Sequence, residues 1–156
     1  MNIRQKSVLW GLLLALLMGL TGCQATGTPY ILPVDGEQVK RSVLYRASGD
    51  QPWEKVELVG EEVSAAVEAV SGIRDWGDYG AQGVPAGGTS YILALWLSDE
   101  TQWVCVYYDS GTQKFFSDGE TKILVTDCGL AALWETVSSR AEQGEPGEEL
   151  MDVPQL

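Results

Sequence analysis

The sequence predicts an α+β domain, an antiparallel sheet of about five to six strands with two helices packed on one face. Two kinds of pattern carry this prediction. Several short segments alternate apolar and polar residues between turns rich in Gly, Asp and Ser, which is typical of antiparallel strands. Two other segments repeat apolar residues every three or four positions, the period of an amphipathic helix. One helical segment interrupts the strands and the other follows them. Each must cover its apolar stripe, and the sheet provides the surface.

The first half of the domain is predicted as a hairpin followed by a helix. Residues 39–46 alternate, and residues 53–59 form the second strand across a turn that contains Gly and Pro. Residues 61–72 carry one apolar stripe, and Glu61 and Glu62 in the first turn suit the positive end of the helix dipole. The stripe comprises Val63, Ala66, Val67, Val70 and Ile73.

The second half is predicted as an antiparallel meander that ends in a helix. Residues 91–97 are nearly all apolar, which indicates a central strand covered on both faces. Tight turns separate this strand from three further strands, predicted at residues 102–108, 114–116 and 122–125. Asp127 is a favourable N-cap for the last helix, whose apolar stripe comprises Leu130, Leu133, Trp134 and Val137.

The composition of the flanking segments sets the predicted domain boundaries. Residues 36–141 are predicted to form one domain with one core. Residues 23–35 are predicted to be the lipidated cysteine and a tether with two prolines and several small residues, in which residues 24–33 span roughly 30 Å at most. Residues 142–156 combine acidic residues with two prolines and two glycines, so they are predicted to be an acidic disordered tail.

Residues 1–22 have the three-part organisation of a secretory signal peptide. A basic start precedes an apolar segment at residues 8–20, and the small residues Thr21 and Gly22 directly precede Cys23. The apolar segment is too short for a transmembrane helix, which needs about 20 residues. The sequence therefore predicts a signal peptide with a helix in its apolar segment.

The segment Leu20-Thr21-Gly22-Cys23 resembles the lipobox of type II bacterial signal peptides. In that family the thiol of the cysteine receives a diacylglyceryl group, cleavage occurs directly before it, and the new amino terminus is often acylated, for example with palmitate. The resemblance implies cleavage between Gly22 and Cys23 and lipidation of Cys23. It also implies a lipoprotein held by its lipid in the cell membrane, on the extracytoplasmic side, since two acyl chains give stable anchoring.

The predicted domain resembles small uncharacterised domains that follow lipoboxes in Gram-positive bacteria. The resemblance lies in a hairpin strand that leads into an amphipathic helix, EKVELVGEEVSAAVEAV, and in a meander, TQWVCVYYDSGTQKFF. It covers most of the domain, and it implies no activity.

The charge and the missing histidine exclude several classes of function. Loss of Arg4 and Lys6 with the signal peptide reduces the 10 basic residues to 8 against 22 acidic ones, a net charge of −14. Such a chain has no basic stripe for nucleic acid, and anionic headgroups repel it. The chain has no histidine, which excludes Ser-His-Asp and Cys-His catalysis and histidine metal ligands. Neither a cofactor nor a metal ion is expected.

Cys105 and Cys128 are the two cysteines that remain after lipidation. A disulfide between them is allowed in an extracytoplasmic compartment. Two separate buried thiols are an equally good interpretation, because free cysteine behaves as a small apolar residue. A third alternative is a reactive Cys128, whose pKa a helix N-terminus would lower.

Residues 74–90 form a long Gly-rich loop that contains Trp76 and Tyr79. Loops of this length in compact domains are usually functional or disordered. The two aromatic side chains either bind sugar rings or a partner, or pack back on the sheet edge.

Three carboxylate pairs are the other candidates for chemistry. They are Asp75 with Asp78, Asp99 with Glu100, and Asp118 with Glu120. Their short spacing suits hairpin turns better than a glycosidase cleft or a calcium loop. No catalytic residue is therefore assigned.

These patterns together predict a membrane-anchored, non-catalytic module that binds a protein, a peptide or an envelope component. An accessory or inhibitor-like subunit of an envelope transporter or cell-wall enzyme is one alternative that the sequence leaves open. A small enzyme that uses Cys128 or a carboxylate pair is the other.

Overall fold

A computed structural model describes residues 27–78, 83–147, 149–150 and 152–156 of the chain. The predicted signal peptide, with Gly22, Cys23 and the signal-peptide helix, lies outside the described residues, as does Tyr79.

The described residues form one antiparallel sheet and two α-helices. The strands are β1 (Thr28–Pro29), β2 (Val39–Ser48), β3 (Glu54–Leu58), β4 (Arg74–Asp75), β5 (Thr89–Leu97), β6 (Gln102–Asp109), β7 (Lys114–Ser117), β8 (Lys122–Val125) and β9 (Glu142–Gln143). The helices are α1 (Glu61–Ser71) and α2 (Leu130–Val137), and short 3-10 turns lie at Gly36–Gln38 and Ser138–Arg140. The order across the sheet is β1-β4-β8-β7-β6-β5-β2-β3-β9, so β1 and β9 form its two edges.

The α+β class is confirmed, but the predicted number of strands is wrong. The sheet has nine strands within the described part of the chain, where the sequence predicts about five to six. The six longer strands lie where alternation or a continuous apolar run predicts them. The other three, β1, β4 and β9, have two residues each. A two-residue strand shows no sequence period, because it forms only when tertiary packing brings its partner alongside.

Both helices lie on one face of the sheet, as the apolar stripes predict. One buried cluster joins side chains of α1 and α2 with the inward-facing residues of the central strands. Its members include Ala66, Val70, Leu130, Trp134, Leu44, Leu93, Cys105 and Phe116. The start of α2 differs from the prediction, since the N-cap is Gly129 and not Asp127. The Asp127 carboxylate instead accepts a hydrogen bond from the backbone N–H of Cys128 at 2.9 Å.

The other face of the sheet is also apolar, and the C-terminal segment covers it. The sequence predicts disorder for residues 142–156, whereas the structure places the described part of this segment against the sheet. We call residues 144–156, as far as they are described, the C-terminal strap. Its apolar side chains Leu150, Val153 and Leu156 pack on a second buried cluster. That cluster includes Val43, Tyr45, Ile92, Ala94, Val104 and Val106.

Polar contacts hold the strap in register with the sheet. One Glu149 carboxylate oxygen accepts a hydrogen bond from the Tyr45 hydroxyl at 2.9 Å, and the other accepts one from the Arg41 guanidinium at 3.2 Å. The Gln102 side-chain amide donates to the backbone oxygen of Glu149 at 3.1 Å. The average composition of the segment does not reveal this docking, because the docking depends on a few apolar residues that meet an apolar face. The central strand β5 is therefore covered on both faces, as predicted.

None of the helices in the described part of the chain has the length and apolarity that crossing a bilayer would require.

Candidate functional site

The predicted tether is part of the fold from Gly27 onwards. β1 pairs with β4, with Thr28 opposite Asp75 and Pro29 opposite Arg74. Gly27 has φ +119, and a Cβ atom there would lie 2.8 Å from the backbone oxygen of Asp75. A glycine is therefore needed where the chain enters the sheet.

Tyr30 holds the N-terminal segment against β7 and the turn that follows it. Its backbone N–H donates to the Ile73 carbonyl at 3.0 Å, and its hydroxyl donates to the Asp118 carboxylate. Its ring packs edge-on against Phe116 with centroids 4.9 Å apart. Burial, followed by the hydrogen bond to Asp118, raises the pKa of the Tyr30 hydroxyl. The phenol stays protonated and acts as a structural donor.

Trp76 follows β4 directly and is exposed at the sheet edge. Its backbone N–H donates to the Leu124 carbonyl at 2.9 Å, and the Leu124 N–H donates to the Gly77 carbonyl at 2.9 Å. These two bonds fix the backbone on both sides of the tryptophan, while 48% of its surface stays accessible. Trp76 therefore lies along the sheet edge with about half of its surface open to solvent, an arrangement that fits both alternatives predicted for it.

A shallow pocket of about 360 Å³ lies beside the Trp76 ring, and we call it the Trp76 pocket. Its other lining residues come from the β7 strand with the turn before it and from β8 with the residue after it. They are Thr112, Gln113, Lys114, Leu124, Val125 and Thr126. An indole face beside hydroxyl, amide and ammonium groups suits binding by stacking and hydrogen bonding.

The charges around the Trp76 pocket are already paired. The Lys114 ammonium lies 3.2 Å from an Asp127 carboxylate oxygen and 3.9 Å from one of Asp109. The Asp75 carboxylate accepts a hydrogen bond from the Gly77 N–H at 2.6 Å. One ammonium thus faces two carboxylates and Asp75 adds a third, so the charges around the pocket are negative on balance.

Cys105 and Cys128 are free and buried, and they belong to one core cluster. This is the second of the three arrangements that the sequence allows. Burial raises the pKa of the Cys105 thiol well above its ordinary value, and it raises the pKa of the Cys128 thiol to about 12. Because α2 begins only at Leu130, Cys128 lies before the helix and does not occupy its first turn. Neither thiol is placed to act as a nucleophilic thiolate.

The remaining carboxylate pairs shape turns. Asp99 accepts hydrogen bonds from the Thr101 backbone N–H at 3.0 Å and from the Thr101 hydroxyl at 2.5 Å. These bonds lower the pKa of Asp99. Asp118 accepts from the backbone N–H groups of Glu120 and Thr121 at 3.1 and 2.7 Å. Within the described ranges, no group of three or more Cys, Asp or Glu side chains could hold a metal ion.

A second pocket, at the opposite edge of the sheet, is a feature that sequence reasoning missed. It has a volume of about 470 Å³ and is lined by Arg46, Ser48, Gln51, Pro52, Glu54 and Gln143. The Arg46 guanidinium lies 5.9 Å from the Trp134 ring centroid and 3.5 Å from a Glu54 carboxylate oxygen. No local pattern indicates this pocket, because its walls come from β2, β3, the turn between them and β9.

Comparison with protein-family models, with curated proteins and with solved structures finds no match for this chain.

Proposed function

We propose that this chain is a lipoprotein anchored through Cys23 on the extracytoplasmic side of the cell membrane, and that its domain is a non-catalytic module that binds an envelope component. The lipobox resemblance supports the anchor. The observation that carries the binding function is the exposed Trp76 beside its pocket, on a backbone fixed by hydrogen bonds on both sides.

Preorganisation is the physical reason for assigning the binding surface to this pocket. Tryptophan is enriched among the residues that dominate binding energy, and a side chain on a fixed backbone loses little conformational entropy when it is covered. Large exposed apolar side chains in the described part of the chain are Ile31, Val59 and Trp76. Val59 also lines a pocket, of about 430 Å³, with Lys40, Arg41 and Ser64. Trp76 is the aromatic side chain of the three, and its pocket is lined by hydrogen-bonding side chains of β7 and of the turn before it.

The other candidate groups support binding more than catalysis. The two thiols are buried and protonated. Asp75, Asp99 and Asp118 accept hydrogen bonds within turns, and Asp118 also accepts one from the Tyr30 hydroxyl. No described residue near the Trp76 pocket combines a strongly shifted pKa with access to solvent, a combination that marks many catalytic sites.

The anchor is tested by the substitution Cys23→Ser. We expect processed molecules of this variant to leave the membrane fraction, because they lack the acyl chains. Gln24→Ser is the matched control and stays with the membrane. Intact mass identifies the processed molecules in each fraction. If processed Cys23→Ser protein still sediments with membranes, the anchor is not the lipid.

The binding surface is tested by photo-cross-linking in cells. A benzophenone amino acid replaces Trp76 in one variant and Val59 in another. Val59 is the control because it is 59% exposed but lies after β3, near the other edge of the sheet. We expect adducts from position 76 that position 59 does not form. Identical adducts from the two positions would remove the assignment to the Trp76 pocket.

A further inference from the structure

We propose that the component which the Trp76 pocket contacts is the membrane itself, with the Trp76 side chain inserted into the headgroup region of the bilayer as a second attachment beside the lipid. This inference rests on the proposed anchor at Cys23. It identifies the partner of the surface described above.

The path of the chain brings this edge of the sheet to the membrane. Three residues separate Cys23 from Gly27, and consecutive Cα atoms are about 3.8 Å apart, so the Cα atoms of Cys23 and Gly27 are at most about 15 Å apart. Gly27 is held at the edge, since its carbonyl accepts a hydrogen bond from the Arg74 guanidinium at 3.4 Å. The distance from Cys23 to the fold is therefore at most about half of the roughly 30 Å that the predicted tether would span.

Trp76 lies at the point where the chain leaves the sheet. In the β1–β4 ladder Thr28, the first residue of β1, is opposite Asp75, and Trp76 is the next residue along the chain. Residues opposite each other in such a pair have Cα atoms about 5 Å apart. The exposed indole therefore lies close to the point where the chain enters the sheet, as does Ile31, which is 85% exposed and follows β1 by two residues.

The chemistry of the pocket matches the interface between lipid and water. Tryptophan is enriched at that depth, because its ring is apolar and its N–H is a donor. The Thr112, Gln113 and Thr126 side chains around it can hydrogen-bond to glycerol and phosphate oxygens. Lys114 is paired with two carboxylates, so the contact does not depend on anionic lipid. A weak contact suffices here, since the lipid anchor keeps the surface at a high effective concentration beside the bilayer.

The same geometry orients the rest of the domain. The order of strands places β9 at the opposite edge from β1. Neighbouring strands are about 4.8 Å apart, so the two edges of the nine-stranded sheet are separated by roughly 40 Å. The polar pocket around Arg46 then faces away from the membrane.

The test is fluorescence quenching in vesicles. The mature lipidated protein is reconstituted into vesicles of phosphatidylethanolamine that contain phosphatidylcholine brominated near the top of its acyl chains; anionic lipid is omitted because the acidic domain is repelled by it. The mature chain keeps five of the six tryptophans, since Trp10 is removed with the signal peptide. We expect brominated lipid to quench about one fifth of the emission in the wild type and close to none in Trp76→Phe. Trp53→Phe, near the other edge, is the matched control and keeps the quenched fraction.

Equal quenching of the wild type and Trp76→Phe would overturn the inference, and so would loss of quenching in Trp53→Phe. Flotation of the same vesicles separates this failure from failure of the anchor. Protein that does not float with the vesicles contradicts both proposals, whereas protein that floats with an unquenched Trp76 contradicts the insertion alone. In that second case, protein adducts from the benzophenone at position 76 would show that the pocket binds a protein partner.

Discussion

Replacing Leu150 by Ala tests whether the C-terminal strap belongs to the fold. The side chain is 7% exposed and packs on the cluster that includes Val43, Tyr45 and Ile92. A disordered tail would leave it in water, and its removal would then have no effect on stability. A docked strap and a disordered tail therefore predict different effects of Leu150→Ala on the free energy of unfolding.

The expected loss follows from the buried surface. The substitution removes three carbon atoms, each worth about 0.8 kcal/mol when buried, which gives about 2.4 kcal/mol. A residual cavity would increase the loss, but the strap can relax or detach, and detachment limits the loss to the free energy of docking. We expect a loss of about 2 kcal/mol.

Urea denaturation followed by circular dichroism measures this loss. With a slope of about 2 kcal/mol per molar urea, the midpoint should fall by about 1 M. Ile31→Ala is the matched control, since it removes the same number of carbon atoms from a side chain that is 85% exposed. Its effect should stay within about 0.5 kcal/mol. If Leu150→Ala and Ile31→Ala have the same midpoint as the wild type, the strap does not contribute to the folded state.

Three further predictions concern the thiols, the strap carboxylate and the contact between the helices. Burial raises the pKa of both thiols, so Cys105 and Cys128 should resist iodoacetamide in the folded protein. In denaturant without reductant both should react, and each should add one adduct to the intact mass. A chain that reacts only after reduction would contain a disulfide. The hydrogen bonds from the Tyr45 hydroxyl and then from the Arg41 guanidinium lower the pKa of Glu149 from about 4.5, so its contribution is present above that pH and is lost as the pH falls through the lowered pKa. Thermal melts across this range should therefore show a smaller acid-induced loss for Glu149→Gln than for the wild type, and equal losses would contradict the contact. Gly129→Ala would place a Cβ atom 2.9 Å from the Cβ atom of Ala69 in α1. We expect this substitution to destabilise the protein by about 1–3 kcal/mol in urea melts. Gly83→Ala is the control and should be neutral, because its Cβ atom would meet no atom within 4 Å.

The longer elements could be predicted because their signals are local. Alternation along β2, the apolar run of β6 and the apolar stripe of α1 locate these elements to within one or two residues. The start of α2 was predicted less well. Asp127 has the side chain of a good N-cap, but in the structure its carboxylate meets the Tyr107 hydroxyl at 3.3 Å and the Lys114 ammonium at 3.2 Å. A cap preference is a local property, and these long-range partners override it.

The candidate site could be predicted only in part, because most of its residues are distant from one another in the sequence. The sequence singles out Trp76 because a large aromatic residue stands in a Gly-rich loop. It does not reveal the pocket, whose other walls are formed by residues 112–114 and 124–126. The second pocket, around Arg46, has walls that come together only in the folded sheet.

The sequence by itself determined the fold class, the six longer strands, the two helices and the face that the helices cover, because side-chain periodicity is a property of neighbouring residues. It also provides the lipobox on which the proposed anchor depends. Only the tertiary structure decided that residues 27–29 and the C-terminal strap are part of the fold, and that Trp76 lies beside the point where the chain leaves toward Cys23. These features depend on pairings between segments about 50 to 100 residues apart. Their free energy comes from surfaces that exist only once the sheet has formed.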